Sequence, residues 1–180
     1  GVQTCALPIL RNCGRTTGQP LEKHHPEGRT VGDAMEQMTG RRKARAVVLQ
    51  ILYQDDLNPQ HNPADDEQTL RQRLRRPELV RFANELLSGV RKFRQELDAK
   101  IEAVAENWSL SRMAVTDRNA LRIGAYELLY TDVPPQVAID EAVELAKTFG
   151  TQQSGPFVNG ILDRLYRDIV LGCARTPEKS

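Results

Sequence analysis

Arg41-Arg42-Lys43-Ala44-Arg45-Ala46-Val47-Val48-Leu49-Gln50-Ile51-Leu52-Tyr53 is the stretch whose reading decides the fold. Ala44, Val47, Val48, Ile51 and Leu52 fall at i, i+3, i+4, i+7 and i+8, the apolar stripe of an amphipathic helix with its opposite face in water. Such a helix belongs to a packed core. Arg41, Arg42, Lys43 and Arg45 crowd its first turn, where the positive end of the helix dipole disfavours each cation by roughly a few tenths of a kcal/mol. Helix stability therefore does not explain them. Clustered Arg and Lys mark either an anionic partner, most commonly nucleic acid, or the solvated, frayed end of a helix, and the cluster alone leaves both open.

Downstream, Asp55 to Pro63 is a run of turn formers and chain breakers and reads as a loop. A weakly amphipathic piece follows from about Asp66 to Arg75, and Pro77, well suited to a first helical position, opens a long helix. Leu79, Ala83, Leu86, Leu87, Val90 and Phe93 carry its stripe, and Leu97, Ile101, Val104 and Trp108 continue one through the next helical stretch. Gly89, in the middle, costs about 1 kcal/mol relative to alanine, which a close approach of two helices would explain. Thr116 and Asp117 read as N-caps of a helix with Ala120, Leu121, Gly124, Ala125, Leu128 and Leu129 inward, ended by Val133-Pro134-Pro135. The next helix spans Gln136 to Thr148, with Gly150 as its stop. Ser154 then caps a final helix with the stripe Phe157, Val158, Ile161, Leu162, Leu165 and Ile169. No stretch alternates with period 2, so the expected fold is all-α: a compact bundle of six to seven helices with short connections.

Upstream, residues 1–40 hold half of the 12 glycines, together with Pro8, Pro20 and Pro26, and show no useful apolar period. The opening Gly-Val-Gln-Thr-Cys-Ala-Leu-Pro-Ile looks like translated sequencing-adapter DNA, and Met35 and Met38 offer natural starts. The expected organisation is a disordered or non-native leader over 1–40, a helical domain over 41–171 and a frayed tail over 172–180.

The totals bound the function. A chain of 180 residues can bury roughly 70% of its unfolded surface in one domain. With 25 Lys and Arg against 24 Asp and Glu the net charge is +1, so any nucleic-acid footprint must be local, as the 41–45 cluster is. Cys5, Cys13 and Cys173 form neither a disulfide framework nor a metal-binding spacing, which fits a reducing compartment. No apolar run approaches the roughly 18 residues of a membrane span, and a cytoplasmic protein without membrane contact is expected.

Catalytic chemistry finds no footing. His24 and His25 lie in the leader and His61 in a polar loop, so no Ser/His/Asp or Cys/His arrangement assembles. Phosphate loops are missing from the sequence. Asp140-Glu141 and Glu144 form an acidic run that could ligate a metal, but no histidine joins them; Glu96/Lys100 and Glu144/Lys147 read as solvated pairs. No catalytic residue, metal site or cofactor is assigned. Two aromatics stand beside polar and cationic groups. Tyr53 closes the basic helix, and Phe157 follows the loop Thr151-Gln152-Gln153-Ser154-Gly155. Each either stacks an unpaired base, worth about 1–3 kcal/mol, or packs in the core. Asn159-Gly160 is likewise an exposed hydrogen-bonding pair or a helix-packing notch.

Four motifs then fall in register: Arg41 to Gln54; Leu121-Arg122-Ile123-Gly124-Ala125-Tyr126-Glu127-Leu128; Val137-Ala138-Ile139-Asp140-Glu141-Ala142-Val143-Glu144-Leu145-Ala146-Lys147; and Phe157-Val158-Asn159-Gly160-Ile161-Leu162-Asp163. In order and spacing, from Arg41 to near Asp168, they resemble the bacterial transcription antitermination factor NusB family. The resemblance implies an all-helical, two-subdomain RNA-binding protein that recognises single-stranded boxA RNA. Its implied partners are the ribosomal protein NusE and the RNA polymerase antitermination complex; whether the free protein forms a homodimer is left open. By the same match the RNA-binding residues are Arg41, Arg42, Lys43 and Arg45, with Tyr53 and Phe157 near RNA. The loop before Phe157 departs from the family pattern, with Gln153 and Pro156 where an acidic residue and a lysine are often found. The same helical domain also occurs at the front of ribosomal-RNA cytosine methyltransferases. Such an enzyme needs a following α/β domain, and none is expected after Ser180. A third alternative is a helical interaction domain that has lost RNA binding.

Overall fold

The computed structural model describes residues 40–58, 62–105, 109–170 and 172. The leader through Thr39, His61, Trp108 and almost all of the tail lie outside them. The described residues form helices α1 (Gly40–Leu57), α2 (Ala64–Leu74), α3 (Pro77–Lys92), α4 (Arg94–Val104), α5 (Val115–Tyr130), α6 (Pro135–Phe149) and α7 (Ser154–Leu165). A 3₁₀ turn (Leu110–Arg112) precedes α5, and a π-helical turn (Tyr166–Val170) follows α7. No strand occurs among them, and the all-α bundle is the fold.

The basic helix lies buried within the bundle, and here the amphipathic expectation fails. Every residue from Ala44 to Tyr53 is buried, Arg45 and Gln50 included. The reason is tertiary: α2, α3, α5 and α6 all pack on α1, so no face along this stretch is left to water.

The second correction concerns Asp55 and Asp56. The expected loop does not begin there; α1 continues to Leu57. Two carboxylates at the negative end of a helix dipole are unfavourable by themselves. Arginines from three other helices offset this. Arg91 of α3 donates from Nε and Nη2 to Asp55, both at 2.8 Å, and from Nη1 to Asp66 of α2 at 2.7 Å. Asp56, its side chain 1% exposed, accepts from Arg118 at 3.0 Å, Arg122 at 3.0 Å and Asn119 at 3.1 Å. Arg94 of α4 also pairs with it, and Arg122 adds a two-pronged bond to Asp98 at 2.7 and 2.8 Å. Burial alone would push the Asp56 carboxyl up, but Arg122, Arg118 and Arg94 outweigh it and hold the group below its ordinary value.

The caps also differ from expectation. α5 begins at Val115 with Ala114 at the cap position and no side-chain cap bond, so Thr116 and Asp117 are first-turn residues. Ser154 is the first residue of α7 rather than its cap; its Oγ accepts the Thr151 N–H at 2.9 Å and closes the connection from α6. Gly150 does end α6, but at φ −99. Lack of room requires it: a Cβ would lie 2.3 Å from Ser154 Oγ and 2.6 Å from Ala146 O.

Gly89 marks the close approach that its mid-helix position suggests. A Cβ there would lie 2.1 to 2.5 Å from ring atoms of Tyr126, so α3 packs on α5 through that aromatic ring. The ring is held in turn by a stack: Tyr126 and Tyr130 lie 5.6 Å apart, and Tyr130 and Phe93 4.3 Å apart at 12°.

Candidate nucleic-acid interface

The first turn of α1 divides its four cations by depth. Arg45 points inward. Its Nε and Nη2 donate to Glu127 of α5 at 2.8 Å each, and its Nη1 lies 3.5 Å from Glu141 of α6. Arg42 is half-buried, forking onto Glu141 at 2.8 and 3.1 Å with Glu144 4.0 Å away; these hydrogen bonds hold its guanidinium above the ordinary value. Arg41 is exposed, its Cζ 5.4 Å from the centroid of Phe82 on α3, a cation–π geometry that Arg45 shares from 5.2 Å. Lys43 is partly exposed and makes no ion pair among the described residues. Arg41 and Lys43 thus face solvent with their charge uncompensated by a carboxylate, on a base of paired arginines.

Arg41, Arg42 and Arg45 line a cleft of about 800 Å³ with Phe82, Tyr126 and Tyr130. Lys43, Tyr53 and Phe157 do not line it. Tyr53 is 6% exposed and belongs to the core, so a base could reach its ring only after rearrangement. Phe157 is half-buried on the first turns of α7 and packs against the core. Asn159 and Gly160 are exposed, with nothing within 4 Å of a Cβ at Gly160, so the pair is no packing notch.

Sequence reasoning missed three participants. The acidic run Glu141/Glu144, weighed as a metal ligand set, is the counter-charge of Arg42 and Arg45. Among the described residues no three His, Cys, Asp or Glu side chains group to hold a metal ion. Lys147 is the second. It pairs with Glu144 at 2.8 Å and its stem lies over Gly155, where a Cβ would be 2.9 Å away, so α6 brings a cation to the start of α7 where the loop itself has none. A chain of charges therefore leads from Arg42 through Glu144 and Lys147 to the turn that carries Phe157. Phe82 is the third. Its i, i+4 relation to Leu86 marks a helix face, but nothing in the sequence aims it at α1.

The chain that carries this layout matches the NusB family model over residues 42–167. The chain belongs to the NusB family. The transcription antitermination protein NusB of Bdellovibrio bacteriovorus is 41% identical over 130 residues, covering 71% of this chain and 96% of that protein. A structure of T. maritima NusB is 38% identical with a TM-score of 0.64, covering 73% of this chain and 94% of that one. A crystal structure of the antitermination factors NusB and NusE in complex with dsRNA is similar at 27% identity and a TM-score of 0.65, covering 73% and 99%. NusB is a family of non-enzymatic factors, and no helix among the described residues is long and apolar enough to cross a membrane.

Proposed function

We propose that this chain is a cytoplasmic transcription antitermination factor that binds single-stranded boxA-like RNA, with NusE as its protein partner in the RNA polymerase antitermination complex. The observation that carries the reading is the pair of solvent-facing, uncompensated cations Arg41 and Lys43, held on the paired Arg42 and Arg45 in a chain similar to a NusB solved with NusE and RNA. Cations position phosphates and rings take unpaired bases. Arg41, Lys43 and the outer face of Arg42 contact phosphates, Arg45 sets their positions from inside, and Tyr53 backs the helix end. Lys147 takes the phosphate beside Phe157, which stacks a base.

RNA titration across a salt series tests this. Single-strand affinity falls with salt by about 0.7 in log–log slope per phosphate neutralised, so replacing Arg41, Arg42 and Lys43 together with glutamine should lower the slope by about 1.4 for Arg41 and Lys43, plus the share of Arg42 that Glu141 leaves free. Unchanged affinity and slope for a boxA-like RNA would remove the assignment. Adding NusE should tighten the wild-type complex.

A further inference from the structure

Five arginines stand against one glutamate between Arg71 and Arg81, a local charge of +4 in a chain whose total is +1. They surround the turn from α2 to α3. A groove of about 570 Å³ opens there, lined by Arg71 with its partner Glu67, by Arg75 and Arg81, and by Asn84, Pro77 and Val80. We propose that this groove is a second RNA-binding site, which holds the phosphodiester backbone of nucleotides flanking the segment bound at α1. The inference rests on the RNA-binding reading given above.

Two of the three arginines lining the groove differ from most arginines on the other helices. Arg91, Arg94, Arg118, Arg122, Arg164 and Arg167 each hold a carboxylate. At the groove, Arg71 pairs with Glu67 at 2.6 Å and Arg76 with Glu78 at 2.7 Å. Arg75 and Arg81, both exposed in the groove lining, form no ion pair among the described residues. Arg75 ends α2 at φ 56, a conformation that favours glycine over any side chain. Neither helix termination nor internal pairing accounts for an arginine there, whereas a phosphate ligand does: the planar guanidinium fork matches phosphate oxygens in a two-pronged geometry.

RNA fits better than an acidic protein surface. Protein interfaces centre on buried aromatic or aliphatic anchors, and this groove offers only Pro77 and Val80 besides charged and polar groups. Its place also favours RNA. α3 carries both sites, with Leu79 against Gly40 and Phe82 under Arg41 on one edge, and Val80, Arg81 and Asn84 on the other. The two cation sets thus flank one helix, which is about 10 Å across, and a strand leaving Arg41 reaches the groove by passing the exposed Glu78 and Glu85 of α3.

The test uses the full chain and three RNAs: a short boxA-like single strand, and the same strand extended at either end. Wild type should bind one extended RNA about tenfold more tightly than the short one, with a salt slope steeper by up to about 2. R71Q/R75G/R81Q should lose that gain and keep the affinity for the short RNA. R75G/R81Q, which alters exposed positions only and relieves the backbone at Arg75, should lose most of it while remaining folded. If neither extension tightens binding, or R75G/R81Q retains the gain, the groove is not an RNA site, and intact short-RNA binding leaves the primary reading standing. If a poly-glutamate peptide rather than the extension binds in a groove-dependent way, the site is for protein and the inference falls. If wild type fails to bind even the short RNA, both readings fall together.

Discussion

Arg45 and Glu127 form a two-pronged ion pair at 2.8 Å with side chains only 3% and 1% exposed, although Arg45 belongs by sequence to the most basic turn of the chain. A buried ion pair gains little net stability over an apolar pair of the same shape, but losing one partner strands the other charge. Arg45→Ala should therefore lower unfolding free energy by about 3–5 kcal/mol. Arg41→Ala, at an exposed site, should stay within about 0.5 kcal/mol of wild type. Urea denaturation of the two variants separates the anchor from the surface cation, and equal losses would contradict the division by depth.

Glu141 competes with any phosphate for Arg42. Glu141→Gln should free the guanidinium, raise RNA affinity severalfold and steepen the salt slope by up to about 0.7. Fluorescence titration against a boxA-like strand measures both; a weaker or unchanged complex would mean that Arg42 serves the fold alone.

Asp56 ties α1 to α4 and α5, and its carboxyl lies below the ordinary value of 3.8. A depressed folded pKa contributes stability that is complete above the unfolded value and is lost as pH falls through the folded one. The protein should hold its stability down to about pH 4 and lose it below. In Asp56→Asn, which strips Arg94 and Arg118 of their carboxylate and leaves Arg122 only Asp98, stability at neutral pH should drop by about 3–5 kcal/mol and the acid branch should flatten. Urea midpoints collected from pH 7 to pH 3 report both effects.

Tyr130 carries the opposite sign. Burial, with the hydrogen bond to Glu96 and that group's charge, raises its phenol from 10.0 to about 12. The contribution is complete below the unfolded pKa and disappears as pH rises through the folded one, so stability should decline between pH 10.0 and about 12. Ultraviolet titration should show one phenol ionising near 12 that is missing in Tyr130→Phe.

Gly89→Ala should destabilise, against helix propensity. Alanine gains about 1 kcal/mol as a helix former. Its methyl would lie 2.1 Å from a Tyr126 ring atom, and overpacking costs typically about 1–3 kcal/mol. Thermal melts should show a lower midpoint, and Tyr126→Leu in the same chain should recover part of it.

The sequence by itself determined that the chain is all-helical, and where most helices lie. The 3.6-residue apolar spacing from Leu79 to Val90 and from Phe157 to Leu165, with Pro77 and Gly150 as punctuation, is local information that each helix carries alone. It also determined the family, because four motifs in register need no coordinates. Tertiary structure decided which cations are available. Arg41 and Arg45 are the same residue type on one turn of α1, and only the packing of α3, α5 and α6 leaves one in water and places the other against Glu127. It decided too that Asp55 and Asp56 close a helix rather than open a loop, since Arg91, Arg94, Arg118 and Arg122 come from three other helices to meet them. Charge in a sequence is a property of single residues, whereas compensation of charge is a property of pairs, and pairs far apart in the chain are brought together only by the fold.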